Sequence, residues 1–176
     1  MGFVMPKRIA VLVTDQYTDY EYATPVAAFL AAHHSITTID MQADKVVYGS
    51  NQQSSTTINH SIDDVFIEDF DALFIPGGES AQRLAQHAKV LDFVRSFNAA
   101  KKAILSISDA SLLLGAADIL SNRLITSIRP HAEQLTQAGG IYYDAELVND
   151  NNQLISSRRT EDLPVFIDEC LYVLRS

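Results

Sequence analysis

Short apolar runs alternate along this chain with segments whose apolar residues recur at helical spacing. The runs are continuous and rich in β-branched residues, which is typical of strands buried on both faces of a parallel sheet. Such strands are predicted at residues 7–14, 36–41, 71–75, 103–107 and 123–127. Their alternation with helices predicts an α/β fold, a three-layer α/β/α sandwich with a mainly parallel, flavodoxin-like central sheet.

The remaining elements complete one domain spanning residues 1–176. A hairpin of residues 46–48 and 56–59 is expected at the edge of the sheet. We expect Pro25 in or near the first turn of the first helix, and Asp162 capping the last. Helices are predicted at residues 21–34, 80–87, 90–100, 110–119, 130–138 and after 162. Further short strands are predicted at residues 141–143, 146–149 and 153–156.

Composition excludes several functional classes. The net charge of -9 argues against nucleic-acid partners, which require clustered Lys and Arg. No apolar run reaches the ~18 residues that a membrane span needs. Residues 1–7 lack the pattern of a signal peptide, so a cytoplasmic location is expected. The one cysteine, Cys170, is predicted to be buried in a helix, and neither metal-ligand spacing nor a phosphate-binding loop is found, so no metal or cofactor is expected.

The predicted functional edge of the sheet follows the carboxyl ends of its strands, where open α/β sheets bind ligands. Residues 103–114 form a strand, a sharp turn at Ser108-Asp109 and a helix. Such an elbow exposes one side chain and directs the first N–H groups of the helix to the same point. Ser108 therefore occupies the position of a nucleophile.

Three other groups are candidates for the same edge. Gly77 and Gly78 could free backbone N–H groups to hold an oxyanion, or could simply form a tight turn. Glu21 could hydrogen-bond the elbow residue with a raised pKa, or be an ordinary solvated acid at a helix start. His131 could act as a base for Ser108, or be a partly exposed histidine in a first helical turn.

The chain resembles the ThiJ/PfpI family of the class I glutamine amidotransferase-like superfamily. The resemblance follows the whole chain in order and includes the Pro-Gly-Gly segment. It rests on residues 9–15 and 19–21, 71–78, 102–108, 125–127, 137–140, 155–158 and 162–166.

The resemblance assigns roles to the edge. The family elbow reads roughly Ala-Ile-Cys-His-Gly-Pro, so Ser108 stands in place of the nucleophilic cysteine and Asp109 in place of the adjacent histidine. Glu21 matches the buried acid, and Gly77-Gly78 with the Asp109 N–H match the oxyanion hole. Since a serine hydroxyl needs a general base where a thiol does not, we expect thiol-dependent protease, deglycase or glyoxalase activity to be absent. A small pocket lined by Glu21, Gly78, Ser108 and Asp109 is expected to bind a carbonyl- or carboxyl-bearing molecule.

Two alternatives stay open. One is an amidase- or esterase-like hydrolase that uses Ser108 with His131 or an activated acid. The other is a structural or regulatory protein. Because family members commonly associate, the resemblance implies a homo-oligomer, with a dimer as the simplest form.

Overall fold

The computed structural model describes residues 5–175. Its strands are β1 (Arg8–Leu12), β2 (Ser35–Asp40), β3 (Val46–Tyr48), β4 (Ser55–Thr57), β5 (His60–Ser61), β6 (Ala72–Ile75), β7 (Ala103–Ile107), β8 (Leu124–Ile125), β9 (Ile141–Tyr142), β10 (Val148–Asp150) and β11 (Leu154–Ser157). Its α-helices are α1 (Asp19–Ala31), α2 (Glu79–Leu84), α3 (Ala88–Ala99), α4 (Ala110–Ala116), α5 (Ala132–Gln137) and α6 (Leu163–Leu174). Among these residues, no helix has both the length and the apolar character needed to cross a membrane.

The central sheet has the order β10-β11-β7-β6-β1-β2-β5. All neighbours pair in parallel except β10 and β11. The principal parallel strands therefore follow the doubly wound, flavodoxin-like order, and the predicted fold class is confirmed. This order brings the carboxyl ends of β1, β6 and β7 to one edge, because these three strands are adjacent and point the same way.

Strand residues alternate between two apolar cores, since successive side chains leave a strand on opposite faces. Ala10 and Leu12 of β1 lie in a core completed by α2, α3, α4 and α5. Ile9 and Val11 lie in a second core, completed by α1 and α6. Cys170 is fully buried in this second core, as the sequence predicted. The three layers therefore consist of four helices, the sheet and two helices.

The sequence-based prediction assigned two elements to the wrong sheet. The hairpin of β3 and β4 forms, but as a separate two-stranded sheet, and β5 is the edge strand instead. The strand predicted at residues 123–127 is only β8, which pairs with β9 outside the central sheet. Thr126 beyond it donates its N–H to the side chain of Ser156 in place of a strand partner. Local β propensity could not distinguish these short pairings from membership in the main sheet.

Two helix expectations also need correction. Helix α1 begins at Asp19, so Pro25 is its seventh residue and lies beyond the first turn. Since proline lacks an N–H, the carbonyl of Glu21 loses its helical donor there. At the start of α6, the Asp162 side chain makes no cap hydrogen bond. It accepts instead from the backbone N–H of Arg158 and from its guanidinium.

Candidate active site

Ser108 lies at a strained elbow between β7 and α4. Its φ of 58° is in the left-handed region, which for a non-glycine residue costs on the order of 1–3 kcal/mol. Four hydrogen bonds hold the residue there. Its carbonyl accepts from Ser127 Oγ at 2.8 Å and from the Oγ and N–H of Ser111 at 3.2 and 3.4 Å, and its N–H donates to the Ser157 carbonyl at 3.0 Å. Ser108 is only 5% exposed, so its hydroxyl is almost inaccessible to solvent.

The Gly77-Gly78 turn after β6 approaches the elbow without side chains. A Cβ on Gly77 would lie 2.2 Å from Glu21 Oε1 and 2.8 Å from Ser108 Oγ, so only glycine fits between these two groups. Gly78 has a φ of +93°, and a Cβ there would lie 2.6 Å from the backbone of both Gln16 and Thr18. These two glycines are therefore required by close packing as well as by the turn.

Glu21 is a buried acid beside Ser108, as predicted. Its Oε2 accepts a hydrogen bond from Thr160 Oγ1 at 2.8 Å. Its Oε1 faces the Ser108 hydroxyl across Gly77 but has no hydrogen-bond partner among the described residues. Burial raises the pKa of Glu21 to about 7; the nearby Asp109 carboxylate also raises it, while the Thr160 and Ser108 hydroxyls oppose the rise. Near neutral pH the group is therefore divided between its acid and carboxylate forms.

Asp109 joins the other groups of the site. Its Oδ2 accepts the backbone N–H of Gly78 at 3.0 Å and the hydroxyl of Ser108 at 3.3 Å. Its Oδ1 lies 2.6 Å from Nε2 of His131. The side chains thus form the chain Ser108–Asp109–His131, in which the acid and not the histidine contacts the serine.

This geometry determines what the predicted oxyanion hole can do. The Gly78 N–H that would stabilise an oxyanion already bonds a carboxylate. The Asp109 N–H at the start of α4 has no acceptor within residues 5–175 and remains available. A tetrahedral oxyanion at this point would meet one free donor and one negative side chain, which is the opposite of a preorganised hole.

His131 reaches the site but not the serine. It ends a short 3₁₀ turn, Arg129–His131, that leads into α5. The segment between β8 and this turn lies against the carboxyl ends of β7 and β11, where Ser127 contacts the elbow. His131 therefore lies at the predicted edge, yet the one hydrogen bond of its side chain within the described chain is to Asp109.

The sequence assigned no role to four hydroxyl residues that contact the site. Ser111, Ser127 and Ser157 surround the elbow, and Thr160 contacts Glu21 from 139 positions away in the chain. Polar residues at the ends of buried strands could have indicated Ser127 and Ser157. Nothing local to Thr160 indicates its partner. Across residues 5–175, no cluster of three or more His, Cys, Asp or Glu side chains is arranged to hold a metal ion.

A flavodoxin-like sheet with a strained nucleophile elbow, a Gly-Gly turn and a buried glutamate defines a class of α/β proteins built around one reactive position. Residues 7–172 match the model of the DJ-1/PfpI family, and the chain belongs to that family. The resemblance inferred from the sequence is thereby confirmed.

Relatives of known name cover almost the whole chain. "Protein/nucleic acid deglycase 2" of Escherichia coli is 39% identical over 170 residues, 97% of this chain and 99% of that protein. "Putative cysteine protease YraA" of Bacillus subtilis is 39% identical over 171 residues, 97% of this chain and 100% of that protein. A two-domain protein of Anabaena variabilis with DJ-1/ThiJ/PfpI-like and ferritin-like domains shares the fold, with a TM-score of 0.92 and 24% identity over 96% of this chain. The match spans 48% of that longer protein.

Proposed function

We propose that this chain is a DJ-1/PfpI protein that has lost the thiol chemistry of its family and retains a small polar binding site. In this proposal Ser108 replaces the nucleophilic cysteine and Asp109 the adjacent histidine. The observation that carries it is the Asp109 carboxylate on the Gly78 N–H at 3.0 Å. A negative side chain at the predicted oxyanion position disfavours every acyl- or carbonyl-addition step there.

The lack of an accessible thiol supports the same proposal. Cys170 is the only cysteine of the sequence, and it is fully buried in α6. Burial raises the pKa of its thiol, which further opposes formation of a thiolate. A deglycase or cysteine protease activity of the kind named for the two relatives would therefore need another nucleophile.

The activity test uses methylglyoxal, a small reactive carbonyl compound, because the family resemblance implies deglycase or glyoxalase chemistry. We expect purified protein to consume methylglyoxal no faster than its Ser108→Ala variant. Glu133→Gln, a substitution at an exposed position of α5, controls for effects of mutagenesis and purification. Turnover by the wild-type protein that disappears in Ser108→Ala would contradict the proposal.

The proposed ligand is a carbonyl- or carboxyl-bearing molecule, and the geometry of the site restricts how it can bind. Such a group can reach the Gly78 N–H only by displacing the Asp109 carboxylate. We therefore expect acetate to perturb the Gly78 amide in an NMR titration more strongly in Asp109→Ala than in the wild-type protein. Equal and weak responses in both proteins would remove carboxylates from the proposed ligand class.

A Ser108-dependent hydrolase is the second candidate, favoured by the continuous chain from Ser108 through Asp109 to His131. It requires Asp109 to accept the Ser108 proton while releasing Gly78. The Oδ2 atom that would take this proton already accepts the Gly78 N–H, and the His131 side chain contacts Asp109 and not the serine, so this candidate stands second. Hydrolysis of p-nitrophenyl acetate that is abolished by Ser108→Ala would establish it.

A cytoplasmic homodimer completes the proposal. Its support is the family resemblance together with large apolar side chains left exposed on α1 and β3: Tyr20, Leu30, Val46 and Tyr48. Tyrosine is enriched at protein–protein interfaces, so Tyr20 and Tyr48 are candidates for the contact. Sedimentation velocity at micromolar concentration should give a dimer, and a monomer would remove this part of the proposal.

A further inference from the structure

A polar cavity lies at the end of the sheet opposite Ser108. It has a volume of about 470 Å³, within the range of small-molecule sites. It lies between the end of α3, the turn before β8 and the turn joining β10 to β11. Its lining is entirely polar: Asn98, Lys101, Asn122, Arg123, Asp150, Asn151, Asn152 and Gln153.

Arg123 forms the fixed floor of this cavity. Its Nε donates to Asp150 Oδ2 at 2.5 Å and its Nη1 to Asn98 Oδ1 at 2.9 Å. Its Nη2 donates to Gln153, whose own amide donates to the Lys102 carbonyl at 2.7 Å. Three of the five guanidinium N–H groups are thus occupied, and the other two are held in a fixed orientation. A preorganised guanidinium binds oxyanions with little entropic cost.

Donors and positive charge exceed acceptors at this cavity. The side chains of Lys101, Asn122 and Asn151 make no hydrogen bond or ion pair with any residue in the described part of the chain. Asp150 balances Arg123, which leaves the Lys101 ammonium as uncompensated charge. The neighbouring Lys102 ammonium donates only to backbone carbonyls, those of Ile67 and Phe70. A locally positive cavity therefore occurs on a protein whose net charge is -9.

The backbone around the cavity adopts conformations that glycine would accept more easily. Lys101, Asn122, Asn151 and Asn152 have φ values of 57°, 61°, 60° and 56°. Lys101 follows α3 at the position where such a helix end usually carries glycine, with its N–H on the Asn98 carbonyl and the next N–H on the Phe97 carbonyl. Asparagine adopts this conformation more readily than other side chains do, so the cost to stability falls mainly on Lys101.

We propose that this cavity binds a small sugar phosphate. Lys101 and the free N–H groups of Arg123 match the oxygens of the phosphate. The amides of Asn122 and Asn151 both donate and accept, so they match hydroxyl groups. No lining residue is aromatic, so a nucleobase would have no ring to stack on, and a sugar phosphate fits better than a nucleotide.

Glucose 6-phosphate is the test probe, in ¹⁵N–¹H NMR titrations at low salt in a buffer without phosphate. The wild-type protein should show saturable shifts at the Lys101, Asn122 and Asn151 amides, with a Kd of about 1 mM or tighter. Inorganic phosphate should bind about tenfold more weakly, and glucose should not saturate. Lys101→Gly and Asn151→Gly should each weaken binding, the former about tenfold, without lowering the melting temperature.

Gln52→Gly is the matched control, because Gln52 also has a left-handed φ, 55°, and lies in the exposed loop between β3 and β4. Its melting temperature should likewise not fall, and it should bind glucose 6-phosphate as the wild-type protein does. Lys45→Ala controls for the loss of one positive charge elsewhere. Absence of saturable shifts, unchanged binding by Lys101→Gly, or equal affinity for inorganic phosphate and glucose 6-phosphate would each overturn the proposal.

Discussion

The carboxylate of Asp109 accepts the backbone N–H of Gly78 at 3.0 Å. The two residues come from different strand–helix turns, after β7 and β6, and their bond closes the front of the elbow. The same carboxylate lies 3.3 Å from the hydroxyl of Ser108. Catalysis would create negative charge on Ser108 Oγ and on a substrate oxygen at the Gly78 N–H. The Asp109 carboxylate lies beside both positions and therefore opposes that charge.

Thiol reactivity at position 108 is the first quantity that this contact should control. Ser108→Cys places a thiol beside the Asp109 carboxylate, which raises the pKa of the thiol and slows alkylation. In the double variant Ser108→Cys/Asp109→Asn, we expect iodoacetamide to react about tenfold faster at pH 7.5, the effect of roughly one pKa unit. Peptide mass spectrometry measures both rates.

Cys170 provides the internal control in that experiment, because it is fully buried and should stay unmodified in the native protein. Its slow labelling in both variants shows that the fold is intact. Equal alkylation rates at position 108 in the single and double variants would mean that Asp109 does not suppress nucleophilicity.

Glu21 should make stability depend on pH. Its pKa is about 7 in the folded protein and lies near 4.5 in an unfolded chain. Between these values the unfolded state releases the proton that the folded state retains, so the contribution of Glu21 to stability is greatest below pH 4.5 and is lost as pH rises to 7. The loss is on the order of 3 kcal/mol at most, at about 1.4 kcal/mol per pKa unit.

Glu21→Gln removes this proton exchange. The variant should be more stable than the wild-type protein at pH 8, and the difference between them should shrink as pH falls to 5. Urea unfolding at pH 5, 6, 7 and 8 measures the difference, and Glu133→Gln on the exposed face of α5 should show none. A constant difference between the proteins across this range would show that the pKa of Glu21 is not raised.

Two glycines should respond to alanine with opposite signs. Gly77→Ala places a Cβ 2.2 Å from Glu21 Oε1, so the site must shift, and we expect a loss of roughly 1–3 kcal/mol. Gly115→Ala lies in α4, where the nearest atom would be 3.6 Å away, and should gain about 0.5–1 kcal/mol. Thermal unfolding compares both with the wild-type protein. Tolerance of alanine at Gly77 would contradict the close approach of Glu21 and Ser108.

The sequence correctly predicted the elements that have strong local patterns. The apolar runs of β1, β6 and β7 predicted the parallel sheet, and the elbow at Ser108 followed from strand, turn and helix signals. The short pairing of β8 with β9 was not predictable, because two-residue strands carry little propensity and depend on tertiary packing. Residues Glu21 and Thr160 meet only through the fold, so no local pattern could join them.

The sequence also could not predict which of Ser108, Asp109 and His131 contact one another. The sequence suggested His131 as a base for Ser108, and the position near the elbow was correct. The side-chain directions place Asp109 between the two, with distances of 3.3 Å to Ser108 Oγ and 2.6 Å to His131 Nε2. Such an arrangement depends on rotamers and on the Gly78 N–H, neither of which spacing along the chain encodes.

Labelling by a fluorophosphonate probe tests most directly whether Ser108 is a working nucleophile. The probe reacts only with serines that a base activates and an oxyanion hole supports. We expect no labelling above that of the Ser108→Ala variant after prolonged incubation at pH 7 to 8. Stoichiometric labelling of Ser108 in the wild-type protein, absent from Ser108→Ala, would contradict it.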